Sequence, residues 1–201
     1  MNWILASASP RRREILSHLG LTFTVRTADT DESSDERDGA RLVELLARRK
    51  ADAVWNALLS EHGTLPRDTV VIAADTVVVS PDGEILGKPQ DDADAARMLR
   101  LLSNNTHRVL SGIAVIKDGV PAVAHESTEV CFAPLSDDVM TRYIQSGEPR
   151  DKAGAYGIQD TAALWIRGIH GDYFNVVGLP VHRLERLLNE NFDISLWKTQ
   201  R

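Results

Sequence analysis

Val70-Val-Ile-Ala-Ala-Asp-Thr-Val-Val-Val79 is an almost unbroken apolar and β-branched run, interrupted only by Asp75 and Thr76. A strand that is apolar on both faces is buried on both faces, so this run predicts a central strand in a sheet covered by helices. On its amino-terminal side, Trp3-Ile-Leu-Ala6 reads as a short buried strand. Ser9 as N-cap, Pro10 at the first helical position and Gly20 as terminator then predict a helix through Leu19. Leu21 to Thr27 alternates as a second strand. Asp29 to Asp38 holds six carboxylates and one arginine and reads as an acidic loop. Helical spacing resumes from Ala40 to Glu61 through Leu42, Leu45, Leu46, Ala53 and Leu58, and His62-Gly63 ends it.

On the other side, Pro81-Asp82-Gly83 turns the chain back through Glu84 to Pro89. Asp92 to Leu102 predicts a helix. His107 to Lys117 and Val120 to Ala133 predict two strands joined as a hairpin at Asp118-Gly119. Ser136 caps a helix to about Ser146, and the glycine-rich stretch Gly147 to Gly157 has no clear periodicity. Ala163 to Ile169 and Tyr173 to Val177 read as closing strands, Pro180 to Glu190 as a helix, and Asn191 to Arg201 as a loose tail. The fold class is therefore α/β, with no internal repeat.

Composition narrows the function. The 201 residues are 43% hydrophobic and 26% charged, an ordinary globular balance. A net charge of −6 disfavours nucleic acid as a partner, so any polyanion must meet a local basic pocket. The single cysteine, Cys131, excludes an intramolecular disulfide and a Cys-rich zinc cage and fits a reducing, cytoplasmic setting. No window reaches the 18 apolar residues of a membrane span, and the first residues lack the pattern of an export signal. The six histidines show no metal-binding spacing.

Four constellations carry chemistry. Ser7-Ala-Ser-Pro-Arg-Arg-Arg13 leads a strand into a helix amino end, where free N–H groups favour anions. Three arginines there break the rule that puts acidic residues in the first turn, which points to phosphate, with Arg11 and Arg12 better placed than Arg13. Second, a carboxylate in a central strand needs a partner, so Asp75 has one. A two-residue loop centred between 81 and 82 pairs position 75 with 88, and a three-residue loop centred on 82 pairs 76 with 88; either brings Lys88 beside Asp75. Third, an acidic run is usually a solvated face, but Asp31-Glu32 lies one strand after the arginine helix. From there it can share a magnesium ion with Asp75, since magnesium combines one or two carboxylates with waters and substrate phosphates. Fourth, Asp151 to Gln159 permits close backbone approach, and the Gln159 amide can both donate to and accept from a pyrimidine edge.

In this order the blocks resemble the Maf family of nucleoside triphosphate pyrophosphatases, relatives of the inosine triphosphate pyrophosphatases. The resemblance runs from Ile4 to about Leu188. It rests on Leu5 to Arg12, Asp31-Glu32, Leu46 to Ala51, Ala74-Asp-Thr76, Gly87-Lys-Pro89, Asp151 to Gln159 and Asn175 to Pro180. It implies one domain over residues 1–190, built on a long twisted mixed β-sheet with helices forming two lobes around a central cleft, followed by a tail at 191–201. It implies hydrolysis of a nucleoside triphosphate to monophosphate and pyrophosphate, with Asp75 as proton acceptor. Ser7, Arg12, Glu32, Lys50 and Lys88 would line the phosphate and metal site, with Mg²⁺ or Mn²⁺ as cofactor held by Glu32 and Asp75. Arg11, Thr76 and Gln159 match the branch acting on dTTP and UTP, where the 7-methyl-GTP branch carries Trp, Gln and Glu. Arg49 and Asn104-Asn105 depart from the family pattern. A cytoplasmic homodimer is implied. The competing expectations are the same reaction on another base, such as 7-methyl-GTP or ITP, and a non-catalytic nucleotide-binding regulator of cell division.

Overall fold

In the computed structural model, residues 1–199 are described. The chain runs β1 (Asn2–Leu5), α1 (Pro10–His18), β2 (Phe23–Val25), α2 (Gly39–His62), β3 (Thr69–Val79), β4 (Ile85–Leu86), α3 (Asp92–Leu102), β5 (Thr106–Lys117), β6 (Val120–Phe132) and α4 (Asp137–Gln145). Three short 3₁₀ turns follow (Glu148–Asp151, Ala153–Ala155, Thr161–Trp165), then β7 (Ile166–His170), α5 (Tyr173–Val177), α6 (Val181–Phe192) and α7 (Leu196–Thr199). The strands form a seven-stranded mixed sheet of order β2-β1-β3-β5-β6-β7, with β4 also on β3. β1 is parallel to β2 and β3, whereas β4 on β3 and β7 on β6 are antiparallel. The apolar run of β3 is buried along its whole length except at Thr76, as its composition predicts for an interior strand. Asp118 and Gly119, both at positive φ, form the tight turn joining β5 to β6.

The chain divides into two compact units. One comprises residues 1–75, 111–126 and 178 onward; the other comprises 76–110 and 127–177. In the first, Ala47, Ala51, Val54 and Leu58 of α2 pack with Ile4, Val71, Ala114 and Ile116 of the sheet. The helix begins at Asp38, whose carboxylate accepts from the N–H groups of Ala40 and Arg41. It also comes unusually close to the sheet: a Cβ on Gly112 of β5 would lie 2.2 Å from the Val43 carbonyl oxygen. Only glycine allows α2 to sit at that depth. After α6, Ile194 and Leu196 are buried, and Ser195 Oγ and Leu196 N both donate to Glu185. The stretch expected to be loose from Asn191 is thus packed as far as Leu196, while Trp197 is exposed; residues 200 and 201 lie outside the described residues.

The second unit has its own core, in which Met98, Leu99 and Leu102 of α3 and Tyr143 and Ile144 of α4 meet Val78, Leu86 and Phe132. Two segments differ from expectation here. Residues 173–177 form a helical turn instead of a strand, because the Asp172 carboxylate caps it by accepting from Phe174 N at 2.8 Å. The turn also puts fully buried Asn175 where its amide donates to Val109 O and Thr128 Oγ1, a demand that β-branched neighbours do not advertise. The strand expected from Ala163 begins only at Ile166, after a 3₁₀ turn. Among the described residues, no helix is long and apolar enough to cross a membrane.

Candidate active site

β3 carries Asp75 at the end of its passage through the first unit, and Asp75 is only 8% exposed. Its partner is Lys50, whose Nζ lies 2.5 Å from Asp75 Oδ1. The same nitrogen lies 2.8 Å from Glu32 Oε1 in the acidic loop. One ammonium therefore gathers a strand carboxylate and a loop carboxylate. Lys50 reaches them because α2 lies deep against the sheet, and its position falls inside the buried stripe formed by Leu46, Ala47, Ala51 and Val54.

Counting across the turn put Lys88 in that role. The β3–β4 register, Val78 with Leu86 and Val79 with Ile85, agrees with the three-residue loop and extrapolates to Thr76 opposite Lys88. The ladder ends at Leu86, however, because β4 is two residues long, and Lys88 is exposed beyond it. The cation bonded to Asp75 is accordingly Lys50.

Arg12 is built into the same neighbourhood. Its Nε donates to Gly178 O at 2.8 Å, and one terminal nitrogen donates to Ala74 O at 2.8 Å and to Ser7 Oγ at 3.2 Å. Arg12 thereby fixes the carbonyl immediately before Asp75. Burial pushes its guanidinium below the ordinary range, Asp75 opposes that, neighbouring Arg11 adds to it and Glu32 opposes it. Buried Ser7 also accepts from Ser9 N, while the Ser9 hydroxyl makes no cap of its own and α1 has no acidic residue in its first turn. The start of α1 thus keeps the character of an anion site, with Arg11 half-buried in its first turn.

The acidic loop is held by more than local turns. Asp31 Oδ1 accepts from Ser33 N and Ser33 Oγ, and Arg49 of α2 donates to Asp31 O at 3.1 Å and Ser33 O at 2.8 Å. Glu32 is legible from its place one strand after the arginine helix, whereas the grip of Arg49 on its flanking carbonyls is a tertiary contact.

In the second unit lie Thr76, Lys88 and Gln159. Gly154 N donates to Gly87 O at 3.0 Å, which ties the segment carrying Lys88 to the one leading to Gln159. Exposed Gln159 directly precedes Asp160, a member of a network centred on Lys152, a buried lysine with no mark in the sequence. Its Nζ donates to Glu148 O and pairs with Asp151 Oδ1 at 2.9 Å and Asp160 Oδ2 at 3.3 Å. Gly157 covers the lysine stem so closely that a Cβ there would be 2.4 Å from Asp160 Oδ2 and 2.7 Å from Lys152 Cε.

Two carboxylates drawn together by the Lys50 ammonium are the oxygen donors that a hard divalent ion takes alongside water and phosphate oxygens. A cage made entirely by protein does not fit, since among the described residues no three His, Cys, Asp or Glu side chains are grouped to hold a metal.

A family model described as Maf-like protein matches residues 2–191. The chain belongs to the Maf family. Among its relatives, this Maf protein is 49% identical over 188 residues to a dTTP/UTP pyrophosphatase of Symbiobacterium thermophilum, covering 93% of this chain and 92% of the relative. It is 48% identical over 197 residues to a dTTP/UTP pyrophosphatase of Moorella thermoacetica, covering 96% of each. The structure of the Staphylococcus aureus Ham1 protein aligns at 15% identity and a TM-score of 0.48, covering 66% of this Maf chain and 72% of that one, too distant a match to establish a shared fold.

Proposed function

We propose that this Maf protein hydrolyses dTTP and UTP to the monophosphate and pyrophosphate. The observation that carries the reading is the Lys50 ammonium shared by Asp75 and Glu32, beside an arginine locked against the Ala74 carbonyl. Relatives named dTTP/UTP pyrophosphatase, 45–49% identical over more than nine-tenths of this chain, support the substrate class.

In this reading Asp75 accepts the proton of a water that attacks the α-phosphorus. The bond from that phosphorus to the bridging oxygen breaks, and pyrophosphate leaves with the bonding pair. Lys50 fixes the carboxylate so that one oxygen is committed to the ammonium and the other can face the water. Phosphoryl transfer depends on positioning and on offsetting charge, which are the tasks of Arg12, Lys88, Ser7 and the amino end of α1. Glu32 and Asp75 would hold Mg²⁺ or Mn²⁺, which would supply charge neutralisation at the phosphates. Arg11, Thr76 and Gln159 select the pyrimidine; Gln159 is suited because an amide offers both a donor and an acceptor. The proposal extends to a cytoplasmic homodimer acting on free nucleotides, canonical or modified, in keeping with a single cysteine and a net charge of −6.

Pyrophosphate release from dTTP, UTP, CTP, dATP, GTP, ITP and 7-methyl-GTP tests this. Turnover confined to dTTP and UTP supports it. Turnover of a purine nucleotide alone would keep the reaction and remove the assignment of Arg11, Thr76 and Gln159.

A further inference from the structure

Glu32 faces a physical problem. Its side chain is 60% exposed, so burial does not hold it, and an exposed ion pair does little to offset the rotamer freedom of a long side chain. It also lies in a ten-residue stretch, 29–38, with no regular structure. Yet the reaction proposed above needs it beside Asp75.

Arg49 supplies the missing constraint. It precedes Lys50 on α2, and one nitrogen of its guanidinium donates to both Asp31 O and Ser33 O, the carbonyls on either side of Glu32. Two successive helix residues thus grip the same three-residue segment, Lys50 by the Glu32 carboxylate and Arg49 by the flanking backbone. The helix is a firm anchor, since Val43, Leu46, Ala47, Ala51 and Val54 are buried along it. The local Asp31–Ser33 turn shapes the segment but does not attach it to anything.

We infer that Arg49 is a positioning residue: it holds the backbone around Glu32 so that this carboxylate stays with Lys50 and Asp75. The inference rests on the catalytic reading of Glu32 and adds to it a residue that acts through the backbone on either side of that carboxylate. A guanidinium is suited to the task because the two N–H bonds of one terminal nitrogen are held at a fixed angle in its plane, where an ammonium rotates freely.

The test is a cycle of Arg49→Met, Glu32→Gln and the double variant, with Arg49→Lys as the conservative change. Arg49→Met is expected to lower kcat/KM for dTTP on the order of 10-fold to 100-fold, the usual cost of losing a residue that orients a metal ligand. It should also raise the Mg²⁺ concentration for half-maximal rate, leave Tm nearly unchanged, and speed amide hydrogen exchange over residues 31–34 without any metal or nucleotide present. Arg49→Lys should recover part of each effect. Because Arg49 acts through Glu32, the double variant should be no slower than Glu32→Gln alone. Wild-type exchange and kinetics in Arg49→Met, with Glu32→Gln impaired, would overturn this inference alone, as would losses that multiply in the double variant. Full activity in Glu32→Gln would remove the catalytic reading of Glu32, and the role of Arg49 with it.

Discussion

Lys50 Nζ and Asp75 Oδ1 meet at 2.5 Å, and both side chains are largely shielded from water, so the pair is closer to a buried ion pair than to a surface one. Removing one member of such a pair leaves the other charged and unsatisfied, which costs roughly 3–5 kcal/mol. Lys50→Met is therefore expected to be both slow and less stable. Adding Asp75→Asn to it should restore stability but not turnover. Thermal unfolding and pyrophosphate release, measured on the two variants, separate the effects.

Gly112 sets how deeply α2 sits and hence where Lys50 can reach. A Cβ there would collide with the Val43 carbonyl, a backbone atom that cannot rotate away. Gly112→Ala should cost about 1–3 kcal/mol, as overpacking does. Because the helix must lift, kcat should fall as well, even though residue 112 is no part of the proposed chemistry. Urea unfolding and steady-state kinetics on this variant check both expectations.

His107 is a buried base in the core of the second unit, with Nε2 hydrogen-bonded to Tyr156 Oη at 2.7 Å and Phe132 packed edge-on. Burial lowers its pKa from 6.5 to about 4. The unfolded chain therefore takes up a proton that the folded protein refuses, and stability present above pH 6.5 is lost as pH falls toward 4. The full effect is about 3 kcal/mol at 1.36 kcal/mol for each unit of pKa difference. Urea unfolding at pH 7 and pH 4.5 should show a smaller drop for His107→Gln than for the wild type.

Lys152 joins Glu148, Asp151 and Asp160 around the segment bearing Gln159. Lys152→Met keeps the stem under Gly157 and removes the charge. Its expected signature is a raised KM for dTTP and weaker discrimination against purine triphosphates, with a smaller change in kcat. An equal fall in kcat and kcat/KM, with discrimination intact, would mean that the network serves folding and not base selection.

Much of the frame could be read from local pattern. The interior position of β3 followed from its unbroken apolar run, and α1 and the β5–β6 turn from Pro10, Gly20 and Asp118-Gly119. What local pattern could not supply were tertiary demands. Residues 173–177 are β-branched and aromatic enough to suggest a strand, but the Asp172 cap and the buried amide of Asn175 favour a helical turn. At the candidate site, Asp75 announced that it needed a partner, since a carboxylate in a buried strand cannot stand alone. Which lysine answers depended on the reach of α2 over the sheet. One signal was available: Lys50 interrupts an apolar stripe three residues after Ala47 and four before Val54. Lys152 left no such mark, and Arg49 stood out only as a departure from the family pattern, because arginines and lysines on a helix or in a polar loop are ordinarily solvated.

In the proposed reaction Asp75 activates water for attack on a pyrimidine nucleoside triphosphate. The most direct measurement is pyrophosphate release from dTTP with Mg²⁺ by the wild type and by Asp75→Asn, with folding of both verified by thermal unfolding. The expected result is turnover by the wild type and a loss of at least about 10²-fold in the folded variant, the scale of a missing general base. A folded Asp75→Asn protein that releases pyrophosphate at the wild-type rate would contradict it.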